Sequence, residues 1–306
     1  MANIRWGYAL NQWRVNETDL VTKEQRESAL KVCSVAGFRA VEMNDGAVGG
    51  PALIPAYYGS LHGFMDFLNG NGIDRVCSFF GNPGPGSATN AADHAKIADS
   101  ASRLAEFVAA LGGSCLVVRA MGSYWREAPI NAAKLKTVAD CWNKVGQATR
   151  AHGIQTALHV DFLNGLRNEP DLDQVLKMTD PATVGLALDT AEFTIAGIDP
   201  VKFYEKNHAR VKHFHFKDAV TTDSAGEYKE ANADMRLLNS GGKRGIERWF
   251  YEMGTPGGLV DFKALYRAMK RHDYDGWVVA ESDQTPAPEE SVLLNGWYVK
   301  RVLSTL

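Results

Sequence analysis

Eight short apolar runs recur through the chain, each followed by a longer segment in which apolar residues return every three or four positions. The runs read as buried strands and the intervening period as helices that pack by one face. The runs lie at 4–10, 40–43, 75–80, 115–120, 155–160, 184–188, 211–216 and 276–281, and the helical segments at about 23–36, 59–70, 92–111, 131–152, 171–178, 200–207, 261–271 and 288–304. Gly37, Gly112 and Gly153 stand where three of these helices should end, since the left-handed residue that closes a helix is most often glycine. Strict strand–helix alternation selects a parallel sheet, and eight units in 306 residues predict a single (β/α)8 (TIM) barrel domain over residues 1–306. An open doubly wound sheet is the rival, but no GxGxxG follows the first run.

Two connections are long. Residues 81–91, GNPGPGSATNA, have loop composition, and an insertion at about 220–258 after the seventh strand is too long for a simple link. Such an insertion is expected to act as a lid or as a partner surface.

The chain is 45% hydrophobic and 23% charged, with a formal charge of -3, so no basic field draws it to nucleic acid. Cys33, Cys77, Cys115 and Cys141 form no CxxC pair and sit in apolar segments, as reduced core cysteines do. The N-terminus shows no secretory pattern, and nowhere does an apolar run reach bilayer length. The expectation is a soluble, cytoplasmic protein. No Lys-Ser/Thr ending marks 81–91 as a phosphate cradle, and no GxSxG elbow points to a serine hydrolase.

In a barrel the C-terminal ends of the strands converge on one mouth, so ionisable residues there can meet although far apart in sequence. Strand five ends in His159 and Asp161, strand six in Asp189, strand seven in His215 and strand eight in Glu281. Such oxygen and imidazole donors suit Mn, Mg, Co or Zn. Each also has a plainer role. Asp189 can cap the helix that follows it, and a buried Glu281 needs a Lys or Arg partner if it has no metal. In RVKHFHFKDA, alternation puts His213, His215 and Lys217 on one face. His213 sits deeper, where it can orient a neighbour, and Lys217 pairs with Asp218 or Glu192 or serves the chemistry. Trp13, Trp125 and Trp249 are placed to contact a ring-shaped substrate at the mouth. Phe79 and Phe80 are expected to fill the core. Glu42 either binds a hydroxyl or pairs with Arg14.

Over nearly its whole length the chain resembles the xylose isomerase-like sugar isomerases and epimerases, and within them the inosose (2-keto-myo-inositol) dehydratases. The resemblance rests on IRWGYALNQWR, GLALDTAEFTIAGIDP, RVKHFHFKDA, GTPGGLVDF and YDGWVVAESDQTP. It implies a divalent metal, manganese first among the candidates, with Asp189, His215 and Glu281 as ligands. The epimerases' strand-five glutamate, in a sequence like EPxN, is replaced by ALHVDFLN. His159 matches the first histidine of the dehydratases' segment, and Asp161 stands where they have another histidine. Both remain candidate ligands, and His159 is the first choice for base or acid if it does not ligate, ahead of Glu281 and Lys217.

The family also contains subunits that cleave 3-keto-glycosides by elimination, among them carbon-glycoside deglycosylases. The implied activity is a metal-dependent lyase acting on a keto-sugar, inosose or 3-keto-glycoside. A proton beside a carbonyl is removed and water or an aglycone leaves from the β carbon. The candidate substrate contacts, from their placement near the mouth, are Trp13, Glu42, Trp125, Glu192 and Trp249, and the assembly the resemblance implies is a homo-oligomer that admits a small second subunit. An epimerase or aldose–ketose isomerase uses the same metal without elimination. A non-catalytic sugar-binding barrel is a further alternative, and an endonuclease IV-like repair enzyme is disfavoured by just eight histidines and the slight negative charge.

Overall fold

The computed structural model describes residues 2–13, 22–44, 51, 53–81 and 84–306. Eight strands, β1 (Asn3–Ala9), β2 (Ala40–Asn44), β3 (Arg75–Phe80), β4 (Cys115–Arg119), β5 (Gln155–His159), β6 (Val184–Asp189), β7 (Val211–Phe216) and β8 (Asp275–Ala280), pair in sequence order. All pairings are parallel, and β1 pairs with β8, which closes the barrel. Every strand lies within one residue of its expected limits. The protein is a (β/α)8 barrel.

The expected helices are α1 (Lys23–Ala36), α3 (Leu61–Gly70), α4 (His94–Ala110), α6 (Ala132–Arg150), α7 (Glu169–Met178), α9 (Pro200–Asn207), α11 (Phe262–Arg271) and α12 (Pro288–Arg301). Local chemistry sets their ends. At α1 the Thr22 hydroxyl accepts from the Gln25 amide, the Gln25 side chain accepts from the Thr22 amide, and Gly37 stops the helix at φ 101°, a left-handed conformation. Sequence periodicity missed four short helices, α2 (Leu53–Tyr58), α5 (Tyr124–Glu127), α8 (Thr190–Ile195) and α10 (Ala233–Ser240). They span too few turns to display a period.

Small side chains fill the barrel interior. Ala9, Ala40, Cys77 and Val279 form one cluster, and Cys115, Val117, Ala157 and Ala187 another. The large apolar residues of the strands, such as Phe79, Leu186 and Phe214, belong instead to the layer beneath the helices. That division leaves room along the axis for the ionisable residues of β7.

The insertion has a small core of its own. Ala233, Leu237, Trp249 and Phe250 pack with Phe162 and Leu163 from the loop after β5, and with Ala191 and Ile195 from α8. Asp234 ties it further, accepting from the Trp125 indole at 2.9 Å and the Ser123 hydroxyl at 2.8 Å. Among the described residues no helix is long and apolar enough to cross a membrane.

Candidate metal and active site

Alternation along β7 sends His213 and His215 inward, fully buried, with Lys217 next at the mouth. Glu42, at the end of β2, meets both imidazoles. His213 Nε2 donates to its Oε2 at 3.1 Å, and His215 Nε2 lies 3.0 Å from its Oε1. Ser78 donates to the same carboxylate at 2.7 Å. Burial alone would raise the Glu42 pKa, but His215 and His213 hold it far below the usual carboxylate range. His213 is held low by burial and so stays neutral, as a donor that fixes Glu42.

The other nitrogen of His215, Nδ1, faces the mouth, 3.4 Å from Glu281 Oε2 and 3.7 Å from Asp189 Oδ2. Beside it, His159 Nε2 donates to Asp189 Oδ2 at 3.2 Å. Asp189 does two jobs at once: its Oδ1 caps α8 by accepting from the Glu192 amide at 2.9 Å, and its Oδ2 faces the site. Lys217 completes the group. Its ammonium lies 3.0 Å from Asp189 Oδ2, 3.0 Å from Glu281 Oε2, 2.7 Å from Asp283 Oδ2 and 3.9 Å from Glu192 Oε1. The expected pairing of Lys217 with Asp218 is not formed. Consecutive residues point to opposite sides, and Asp218 instead accepts from the amides of Ala219, Gly254 and Val260.

These contacts set the charge states. Burial works against a charged His159, yet Asp161 and Asp189 push its pKa up to about 9. Burial opposes a charged His215 as well, and Glu42, Glu281 and Asp189 raise its pKa well above the ordinary value. Burial, reinforced by Asp283, pushes Glu281 up to about 7 against the pull of Lys217 and His215. Glu192 is held well above the carboxylate range by burial, with Asp161 and Asp189 adding to it. Its Oε2 accepts from the Phe162 amide at 2.7 Å.

The residues present fit a divalent cation. One atom each from His159, Asp189 and His215 lies within 4.8 Å of the others, and Glu281 adjoins them at His215 Nδ1. Each imidazole also has a carboxylate on its far side. Asp161 Oδ1 lies 3.0 Å from His159 Nδ1, and Glu42 Oε1 lies 3.0 Å from His215 Nε2. A carboxylate behind a histidine is the arrangement that orients an imidazole toward a metal. Both ring nitrogens of His215 and Nδ1 of His159 are buried and make no hydrogen bond of regular geometry, so these imidazoles are held by charge contacts with the carboxylates around them.

The other expected site residues are distributed as follows. Asp161 stands behind His159, its second oxygen accepting from Arg119 Nε at 3.0 Å, outside the cluster of facing atoms. Burial would raise its pKa, but Arg119 and His159 hold it low. Glu42 lies within the barrel, 3% exposed, and Arg14, its expected partner, falls outside the described residues. Trp13 packs edge-on against Tyr8, with its indole 3.4 Å from Glu289. Trp249 is fully buried, donating to the Leu237 carbonyl at 2.9 Å, and belongs to the insertion's core. Trp125 is half-buried at the mouth-side loop, bonded to Asp234.

Phe79 and Phe80 both pack against buried apolar residues, as expected, but on opposite sides of β3: Phe79 joins the layer beneath the helices, and Phe80, half-buried, joins the interior cluster of Cys115, Val117, Ala157 and Ala187. Phe79 is buried against Phe107, whereas Phe80 points inward and packs 4.8 Å from His159 and 5.6 Å from His215 between ring centroids. Neighbours on a strand face opposite ways. Sequence reasoning also passed over Arg119, whose guanidinium lies 4.9 Å over the Phe80 ring, and Asp283 and Asn11, which contact Lys217 and Glu281. Arg119 ends β4 as His159 ends β5, so the strand-end rule applied to the first half of the barrel would have found it. Asp283 lies two residues past Glu281.

The sequence model of the family described as Xylose isomerase-like TIM barrel matches residues 30–295. An inosose dehydratase of Lacticaseibacillus casei is 32% identical over 145 residues, which are 47% of this chain and 45% of that relative. The chain thus spans about half the length of the curated relatives it matches. The solved structure of the probable 3-DHS dehydratase AsbF, involved in petrobactin synthesis in Bacillus anthracis, superposes with a TM-score of 0.74 at 13% identity, covering 97% of this chain and 99% of that one. The IOLI protein with a binding zinc atom superposes with a TM-score of 0.71 at 14% identity, covering 98% of each chain. At these identities the structural likeness shows the fold.

Proposed function

Since this chain belongs to the xylose isomerase-like TIM barrel family, we propose that it is a divalent-metal-dependent lyase acting on a keto-sugar, an inosose or a 3-keto-glycoside. The observation that carries the reading is the convergence of His159, Asp189, His215 and Glu281 at the ends of β5 to β8, with a carboxylate behind each imidazole. The partial identity to inosose dehydratases supports a dehydration.

These four residues would hold the metal, with manganese our first choice, and it would supply Lewis-acid polarisation of a substrate oxygen. Two histidines and two carboxylates suit such an ion. The chain's own residues would handle the protons. Glu281 would take the proton from carbon through the carboxylate oxygen that does not face the cation. Glu192, kept protonated by burial, can give one to the departing hydroxyl or glycosidic oxygen. A C–H bond and a C–O bond then break, a carbon–carbon double bond forms, and water or an aglycone leaves. If His159 does not ligate, its imidazolium is the alternative acid. Lys217 offsets the carboxylates around it, and Phe80 and Trp125 would line the path of the substrate ring. The four cysteines are free and buried, which supports a cytoplasmic setting.

The test incubates manganese-loaded protein with 2-keto-myo-inositol and with a 3-keto-glucoside, following enone absorbance and deuterium uptake from solvent. Elimination with loss of water or aglycone is the expected result. Deuterium exchange with a product of unchanged mass would replace the lyase by an epimerase or isomerase. Loss of turnover in Glu281→Gln and His215→Asn, with the fold retained, is expected alongside.

A further inference from the structure

On the last helix, α12, Leu294 and Trp297 are 55% and 59% exposed, while Ser291, Val292, Asn295 and Gly296 on its other side are buried. At 3.6 residues per turn, Glu290, Leu294, Trp297 and Arg301 fall within about 60° of one another around the helix and span about 16 Å. All four are exposed. Among the described residues, neither Glu290 nor Arg301 has an ion-pair partner in its own chain.

The stripe has an acidic end, an apolar middle and a basic end, and its positions are symmetric about the point between Asn295 and Gly296. Laid antiparallel on a copy of itself, it sets Leu294 against the second copy's Trp297 and Glu290 against the second copy's Arg301. Both contacts then form twice, as a two-fold axis requires. We propose that the exposed stripe of α12 is the centre of a homodimer interface whose occupant is a second copy of this chain.

Charge complementarity of the surface with itself favours that occupant, since both charged ends find partners at once when the helix lies antiparallel on its copy. Leu293, 43% exposed, broadens the apolar centre, and Val35, 78% exposed, lies on the helix that packs against α12 at Gly296. An apolar centre with charges at its rim is the usual anatomy of a specific interface. Because stable interfaces bury about 1,200 Å² or more in total, surface flanking the two helices must contribute as well. The interface is independent of the chemistry at the mouth.

Sedimentation velocity over a concentration series, on the full chain, is the test. The wild type is expected to dimerise and Leu294→Glu to be monomeric, with circular dichroism unchanged. Glu290→Arg and Arg301→Glu each place like charges at both ends and should weaken self-association about tenfold or more. Mixed in equal amounts, these two variants should recover wild-type association, because each mixed pair again opposes Arg to Glu at both ends. A wild type that is monomeric to about 100 μM overturns the proposal. So does a dimer indifferent to Leu294→Glu, or a mixture that associates no better than its components.

Discussion

In Lys217→Met the ammonium between Asp189, Glu281 and Asp283 is replaced by an uncharged thioether, leaving His159 and His215 to balance the carboxylates. Removing one partner from a buried charge group costs about 3–5 kcal/mol, so the cation-free variant should melt well below the wild type. A divalent cation restores positive charge at the same place and should raise its melting temperature more than it raises the wild type's. Equal shifts in both proteins would show that Lys217 and the cation do not share these carboxylates. The second residue-scale prediction concerns pH. The pKa of His215 is raised above its ordinary value and that of Glu281 is about 7, so both carry protons near neutrality that a bound cation must displace. Cation affinity should therefore rise with pH, by about tenfold per unit for each proton released. The cation-free fold has the opposite slope: a raised histidine pKa contributes stability that is present below the unfolded value and lost as pH climbs through the folded one. Calorimetric titration in two buffers of different protonation enthalpy reads the released protons, and a pH-independent affinity would remove His215 and Glu281 from the binding group. The pattern HFHFK announced three inward side chains on one strand. It could not show that Glu42, 171 residues earlier than His213, stands behind them.

At the scale of elements, the loops above the barrel differ from the barrel itself in how they are held. Strands and helices pack through a continuous apolar layer, whereas the insertion is fastened by a small cluster around Trp249, by hydrogen bonds and by the buried Arg167–Asp223 ion pair. Two of those bonds end on Asp234. Asp234→Ala removes both acceptors, at about 0.5–1.5 kcal/mol each, and should speed amide exchange over residues 233–240 while leaving exchange in β1 to β8 unchanged. Unaltered exchange over those residues would mean that the remaining contacts, among them the aromatic cluster and the Gln284 bond to the Leu238 carbonyl, hold them without Asp234. The elements of the barrel were legible because they are long and buried on one side, so that their period is written in apolar residues. The four short helices and the packing of the insertion were not, because a helix of one or two turns is fixed by its neighbours rather than by its own pattern. Trp249 illustrates the point. Expected as a substrate contact at the mouth, it is enclosed by Phe162 and Leu237.

For the whole molecule, a cation held at the mouth as proposed would link four strands that lie successive in the barrel, and so should be read by global stability. At a free concentration a hundredfold above Kd, binding adds about 2.7 kcal/mol. At roughly 2 °C per kcal/mol for a chain of this size, the melting temperature should rise about 5 °C and fall back on chelation. A thermal melt with and without manganese checks this, and an unchanged midpoint at saturating cation would remove metal from the function. The chain's own order of apolar runs determined the closed parallel barrel, because strand–helix alternation with right-handed crossovers leaves few other ways to bury eight such strands. It also put His159, Asp189, His215 and Glu281 at the ends of their strands, since alternation and strand ends are local properties. Only the tertiary structure decided which of them touch. That Asp161 and Arg119 stand behind His159, that Glu42 backs His215 and that Lys217 lies among four carboxylates follow from the register and tilt of strands distant in sequence. Distances across a barrel depend on how the sheet closes, and no local pattern records them.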